Sequence, residues 1–259
     1  MAYILRSRRI SKGSDAAALR KWAILLLATG IVGRSILRDG ILGLDPLDGA
    51  QLMAALEDNG TMAAATAAIF CGVLETCAVP LFAFLLVEGF LHTSGFEKYL
   101  LRVGSVAVVS ELPYNLAMGG GLLDLQSRNP AFGLVIGLVM LFFFHAYGGK
   151  SFRNTLMKML ILLAALLWCR MLRIDQGICT VIFVAALWLV REKSNFRLLA
   201  VFAGTMICAV FDFFYLGACL SCMMLHRCTG ERGGQNEKLN YAAYPALLLL
   251  GGIAAMLLG

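Results

Sequence analysis

Residues 82–102 read FAFLLVEGFLHTSGFEKYLLR. An apolar run carries Glu88 in its interior, with His92 four residues later, and ends in the cationic pair Lys98 and Arg102. Residues four apart on a helix share a face, so Glu88 and His92 project together. Whether this is a soluble helix with a charged face or a membrane helix with a buried carboxylate depends on the rest of the chain.

The rest of the chain favours the membrane. Of 259 residues, 60% are hydrophobic and only 15% charged, and the mean hydropathy is +0.80. A soluble domain carries roughly a quarter charged residues. The expected class is all-α: a polytopic bundle of transmembrane helices forming one integral membrane domain over residues 1–259, with a basic tail at 1–21. The net charge of +6 does not read as a nucleic-acid surface, because the charges sit at the ends of apolar runs. No cleavable leader is evident, so the first apolar run is expected to stay as a signal anchor.

Apolar runs occur at 22–38, 62–91, 99–118, 130–148, 155–172, 177–191, 198–225 and 241–258. They predict about eight spans, within a range of seven to ten, since a helix needs roughly 20 residues to cross. The second and seventh runs are longer than that, and the sixth is short. Between the first two, Leu52, Met53 and Leu56 share a face, which fits an interfacial helix or a plain loop. Lys and Arg concentrate at alternate run ends, including Arg6, Arg8, Arg9, Lys98, Arg102, Lys150, Arg191 and Arg197. That bias predicts a cytoplasmic N-terminus. The expected location is a membrane crossed several times, with the lipid bilayer as first partner.

The eight cysteines lie mostly in apolar runs and read as small hydrophobes rather than a disulfide framework. Cys219 and Cys222 form a lone CxxC with no second pair, a weak redox or metal signal. No metal is expected.

Four carboxylates fall inside apolar runs: Glu75, Glu88, Glu111 and Asp212. Each costs roughly 2.5–3.5 kcal/mol at mid-membrane, so each should face the bundle interior and pair. Glu111 lies nine residues past Arg102, roughly 13 Å deeper. Pro113 should weaken its helix, and Asn115 adds an amide. Glu75 and Asp212 read as structural. His145 and His226 lie near run ends and read as solvated.

Three segments carry a resemblance: PLFAFLLVEGFLHT at 80–93, KYLLRVGSVAVVSELPYNLA at 98–117 and CTGERGGQNEKLNYAAYPALLLL at 228–250. They resemble the TraX family of bacterial membrane proteins, whose founding member is a conjugative pilin acetylase. RIDQGICTVIFVAALWLVRE at 173–192 resembles the family's Asp-Tyr-Gly segment more weakly. The resemblance implies a polytopic acyltransferase with acetyl-CoA as donor. Its acceptor would be a protein N-terminus, such as that of a pilin, or another acceptor. It places candidate catalytic groups at Glu88, His92 and Glu111, since acyl transfer to an amine needs a base or a relaying histidine. Arg102 and Asn115 are the candidate donor-binding residues.

The departures are as specific as the matches. The family's first span usually carries an Asp-His pair, and Gly30 and Ile31 stand there. Its Gly-Arg before the Phe-Ala-Phe segment is replaced by Glu75 and Thr76. Its last span usually has Tyr-Pro-x-His, where this chain has Tyr244, Pro245, Ala246 and Leu247. Glycine, isoleucine and leucine cannot move a proton. Three expectations follow. An active acyltransferase should hold a polar cavity lined by Glu88, His92 and Glu111, with Lys or Arg at its mouth. A catalytically inactive descendant with a binding or accessory role should tie its carboxylates into ion pairs, with apolar packing around Gly30 and Ile31. A transporter should break its helices around a midplane site.

Overall fold

The computed structural model describes residues 16–45, 47–118, 127–149, 151–226 and 237–258. Among them the chain is all-helical, apart from one isolated parallel bridge between Arg128 and Ile174. The helices are α1 (Ala16–Ile31), continued by a π-helical segment (Val32–Ile41), then α2 (Gly49–Glu57), α3 (Met62–Thr76), α4 (Ala78–His92), α5 (Phe96–Val109) and α6 (Glu111–Ala117). After them come α7 (Ala131–Ala146), α8 (Phe152–Met171), α9 (Gly177–Leu189), α10 (Arg197–Ala209), α11 (Ser221–His226) and α12 (Glu237–Leu258).

Among the described residues, four helical stretches are long and apolar enough to cross a membrane: Ala16–Ile41, Met62–His92, Phe152–Met171 and Tyr241–Leu258. Ala131–Ala146, Gly177–Leu189, Arg197–Ala209 and Phe213–His226 are apolar but shorter. Large apolar side chains remain exposed along the outside, among them Leu101, Phe152, Met159, Met171 and Leu257. In a bilayer such faces meet acyl chains rather than water.

The breaks have local causes. The 62–91 run is nearly one helix, interrupted at Cys77. Pro80 supplies no N–H to the Thr76 carbonyl, which frees that turn. The Thr76 hydroxyl donates to the Phe214 carbonyl at 3.1 Å and ties the break to a neighbouring segment. The 99–118 run breaks at Ser110, and Pro113 falls in the first turn of α6, where its missing N–H costs little. The 198–225 run breaks at Asp212, whose carboxylate accepts from the Phe214 amide and caps a 3₁₀ helix at Phe213–Leu220. Asp212 has the local structural role its sequence context implied, yet it is exposed rather than facing the bundle interior, because it caps a helix end instead of pairing with a cation. The helix between the first two runs exists as α2, capped by Asp48. Leu52 is its buried anchor, while Met53 is exposed.

The main core lies where α4, α7 and α9 pack on one another, with Leu81, Leu138, Leu141, Val181, Phe183 and Val184 fully buried. Around it, α1 packs on α3 and α4, and α12 packs on α6 and on the π-helical segment. The α12–α6 approach is close: a Cβ at Gly252 would stand 3.0 Å from the Ala117 amide nitrogen. The described cysteines are free thiols, and Cys228 lies outside the described residues.

Candidate functional site

Five helices enclose a well. Helix α1 packs on α4, α4 on α7, α7 on α5, α5 on α12, and α12 back on α1. The cavity between them holds about 220 Å³. Its walls are mostly apolar, with Ile24 and Leu27 from α1, Phe82 and Leu86 from α4, and Val103 and Val106 from α5. Arg20, Tyr99 and Tyr241 line one end. Glu75, Gln176, Thr180 and Tyr244 supply the polar lining at the other. On α1 and α5 the lining residues recur every three or four positions (Arg20, Ile24, Leu27; Tyr99, Val103, Val106), which keeps them on one helix face.

The polar floor is a buried ion cluster. Arg34, on the π-helical segment, reaches Asp175 Oδ2 with Nη1 at 2.6 Å and Glu75 Oε2 with Nη2 at 3.1 Å. π-Helical turns are rare and concentrate at functional sites. Gln176 donates Nε2 to Glu75 Oε1 at 3.2 Å. The Tyr114 hydroxyl donates to Asp175 Oδ2 at 3.3 Å and contacts Ser127 Oγ at 3.1 Å. Asp175 and Gln176 sit in a tight connection between α8 and α9. Arg173 and Gln176 there adopt left-handed backbone angles, φ 51° and 55°. Two backbone hydrogen bonds, Arg128 N to Arg173 O at 2.8 Å and Asp175 N to Arg128 O at 2.9 Å, clip this connection to the start of α7.

One guanidinium thus serves two carboxylates. The Arg34–Glu75 contact is short, yet Glu75 Oε2 accepts no hydrogen bond of good geometry among the described residues. It is an ion pair by distance.

A second cluster adjoins the first. Asn129 is fully buried. Its Oδ1 accepts from the Tyr244 hydroxyl at 2.5 Å and from the Ala131 amide at 2.9 Å, while its Nδ2 donates to the Ala107 carbonyl at 3.2 Å. One amide thereby joins α12, α7 and α5. Glu111 Oε2 accepts from the backbone N–H of Asn129 at 3.2 Å, and Glu111 Oε1 lies 3.9 Å from Arg128 Nη1.

The residues singled out from sequence separate into two places. Glu88 and His92 sit at the far end of α4, where His92 Nδ1 is 3.5 Å from Glu88 Oε2 and the imidazole is more than half exposed. Glu88 borders a space the size of about one water with Arg191 and Arg197. Glu111 belongs to the Asn129 cluster, and neither it nor the Glu88–His92 pair lines the well. Asn115 is buried on α6, and Arg102 lies within electrostatic reach of Tyr99 near the Arg20 end. His145 and His226 are exposed. Among the described residues there is no cluster of three or more His, Cys, Asp or Glu suited to a metal ion.

Sequence reasoning misses the centre. Glu75 reads as structural there, Arg34 carries no motif that marks it, and Asp175 is marked only as the Asp of the weaker Asp-Tyr-Gly resemblance, with no role drawn from it. The available signal is Glu75 itself, an acid in the position where the resembled family places glycine.

The positions of the family's missing polar residues meet in space. Gly30 faces Glu75 so closely that a Cβ on Gly30 would overlap its carboxyl group. Ile31 and Leu247, at the two expected histidine positions, pack into one apolar cluster with Tyr114 and Leu248.

This architecture is that of a multi-helix membrane protein with a polar centre held among apolar helices. A family model described as "TraX protein" matches residues 53–254, and the chain belongs to the TraX family. Gly30, Ile31 and Arg34 precede the matched stretch. No curated protein and no solved structure matches the chain.

Proposed function

We propose that this chain is a TraX-type membrane acyltransferase that moves an acetyl group from acetyl-CoA to an amine such as a protein N-terminus, and that Glu75 is its base. The chain would cross the inner membrane about eight times with its N-terminus in the cytoplasm, which the distribution of Lys and Arg supports. The observation that carries the reading is Glu75 in the well: a carboxylate fills the space beside Gly30. The acid expected from α1 is supplied from α3 instead.

In the proposed step the acceptor nitrogen attacks the thioester carbonyl, and its proton passes to Glu75. The C–S bond then breaks, and the thiolate leaves with that proton as free CoA. Gln176 and Arg34 provide donors next to the carboxylate, where negative charge develops on the carbonyl oxygen. Arg34, held by Asp175, orients the carboxylate. Glu88, His92 and Glu111 hold no base role in this reading, because none of them lines the well.

A second reading is a catalytically inactive family member that keeps the well for binding. The apolar packing of Ile31 with Leu247 favours it, as do the ion pairs on Glu75, Glu111 and Glu88. The test is incubation of membranes carrying the full chain with radiolabelled acetyl-CoA, scoring label in membrane protein and free CoA. Chain-dependent labelling supports acyl transfer. CoA binding without release or labelling supports the inactive reading.

A further inference from the structure

The well is polar at both ends and apolar between them. Helices α1, α4, α7, α5 and α12 pack one on the next around it. At one end stand Arg20, Tyr99 and Tyr241, with Tyr99 within electrostatic reach of Arg20, Tyr241 and Arg102 and its hydroxyl packed near Gly89. A guanidinium beside two phenols offers charge-assisted and neutral donors to an anion. From Arg20 to Gly30, which faces Glu75, α1 climbs about 15 Å. The space between is lined by Ile24, Leu27, Phe82 and Val103. That apolar lining suits the uncharged chain of a ligand rather than its charged group.

We propose that Arg20, with Tyr99 and Tyr241, binds the phosphate of an extended ligand whose uncharged chain descends the well and brings its far end to Glu75 and Gln176. The geometry divides the ligand in two: phosphate at Arg20, reactive or polar tip one well-length away. Arg20 is thus a positioning residue that sets how deep the tip reaches. A phosphorylated coenzyme with a pantetheine arm and a phospholipid both have this chemistry. The inference rests on the well being the donor site only for the coenzyme source.

The experiment is isothermal calorimetry on the full chain in neutral detergent, with CoA, pantetheine lacking phosphate, and inorganic phosphate as probes. Wild type is compared with Arg20→Gln, Arg20→Lys and Leu27→Trp, each first shown to unfold at the wild-type temperature. A further arm repeats the CoA titration with added phosphatidylglycerol. Arg20→Gln is expected to weaken CoA about tenfold and Arg20→Lys less, with pantetheine unaffected by either. Leu27→Trp, which narrows the chain path, should weaken CoA and pantetheine and leave inorganic phosphate unchanged. If CoA does not bind but phosphatidylglycerol does, in an Arg20-dependent way, the phosphate site stands and the acetyl-CoA reading fails. If CoA binds equally to wild type and Arg20→Gln, the phosphate site is refuted while the acetyl-CoA reading survives. If Leu27→Trp leaves CoA binding intact, the ligand does not descend the well and the proposal is overturned. It is overturned equally if neither CoA nor phosphatidylglycerol binds the folded protein.

Discussion

Gly30 on α1 and Glu75 on α3 share one space: the carboxyl group of Glu75 lies where a side chain on Gly30 would begin. The helices can pack with an acid on one of these positions only if the other is bare. This relationship places a carboxylate at the floor of the well and lets Arg34 reach it.

Gly30→Ala tests that relationship. The added methyl group overpacks a filled site, and such changes typically cost about 1–3 kcal/mol. Combining Gly30→Ala with Glu75→Ala should restore part of the loss, because the second change vacates the space. Thermal unfolding in detergent of the two single variants and the double variant should be non-additive, as expected for residues in contact. Additive losses would mean that the two residues do not compete for space.

Arg34→Met should be more damaging. It removes the cation shared by Glu75 and Asp175 and leaves two buried or half-buried carboxylates facing one another. Breaking a buried pair from one side costs about 3–5 kcal/mol. Adding Glu75→Gln to Arg34→Met should recover a measurable part of that loss, since one of the uncompensated charges is then gone. The midpoint of chemical unfolding in mixed micelles reads the difference.

Asn129 is expected to be the sensitive joint between α5, α7 and α12. Asn129→Ala orphans the Tyr244 hydroxyl, the Ala131 amide and the Ala107 carbonyl contact. Each buried group left without a partner costs about 1–3 kcal/mol. Tyr244→Phe removes only one of the three contacts and should cost about 1 kcal/mol. Equal losses in the two variants would contradict the joint.

At the far end of α4, Glu88→Gln and His92→Ala should change stability by no more than about 0–1 kcal/mol, the range of exposed ion pairs. The pair is adjacent on one helix and the imidazole is largely exposed. A loss comparable with that of Arg34→Met would show that the pair holds the bundle together.

The membrane class and the helix content are legible in residues 62–91 and 241–258, because long apolar runs leave few alternatives. The pairing of Glu88 with His92 is legible from i+4 spacing. Asp212 is legible as a structural residue but not as a helix cap, because it falls inside the continuous apolar run 198–225 and nothing there marks the break. The centre is not legible. Arg34, Glu75 and Asp175 come from three distant segments, and no local spacing relates them. Their meeting depends on a break at Cys77, a π-helical continuation of α1, and a left-handed turn at Gln176. None of these has a period that can be read along the chain. Glu111 is legible as a carboxylate that pairs, yet its partner Arg128 is supplied by a segment that returns alongside it. Glu88 stands inside the most conspicuous motif, while the acid that lines the well sits thirteen positions earlier.

The central claim is that chemistry in this chain is placed at Glu75 and not at Glu88. Its most direct test is the rate of CoA release from acetyl-CoA in membranes carrying wild type, Glu75→Gln or Glu88→Gln at matched protein levels. Loss of a positioned base is worth typically about 10²–10⁴-fold. Glu75→Gln should lose activity on that scale, while Glu88→Gln stays close to wild type. Retained release in Glu75→Gln with release abolished in Glu88→Gln would contradict the account.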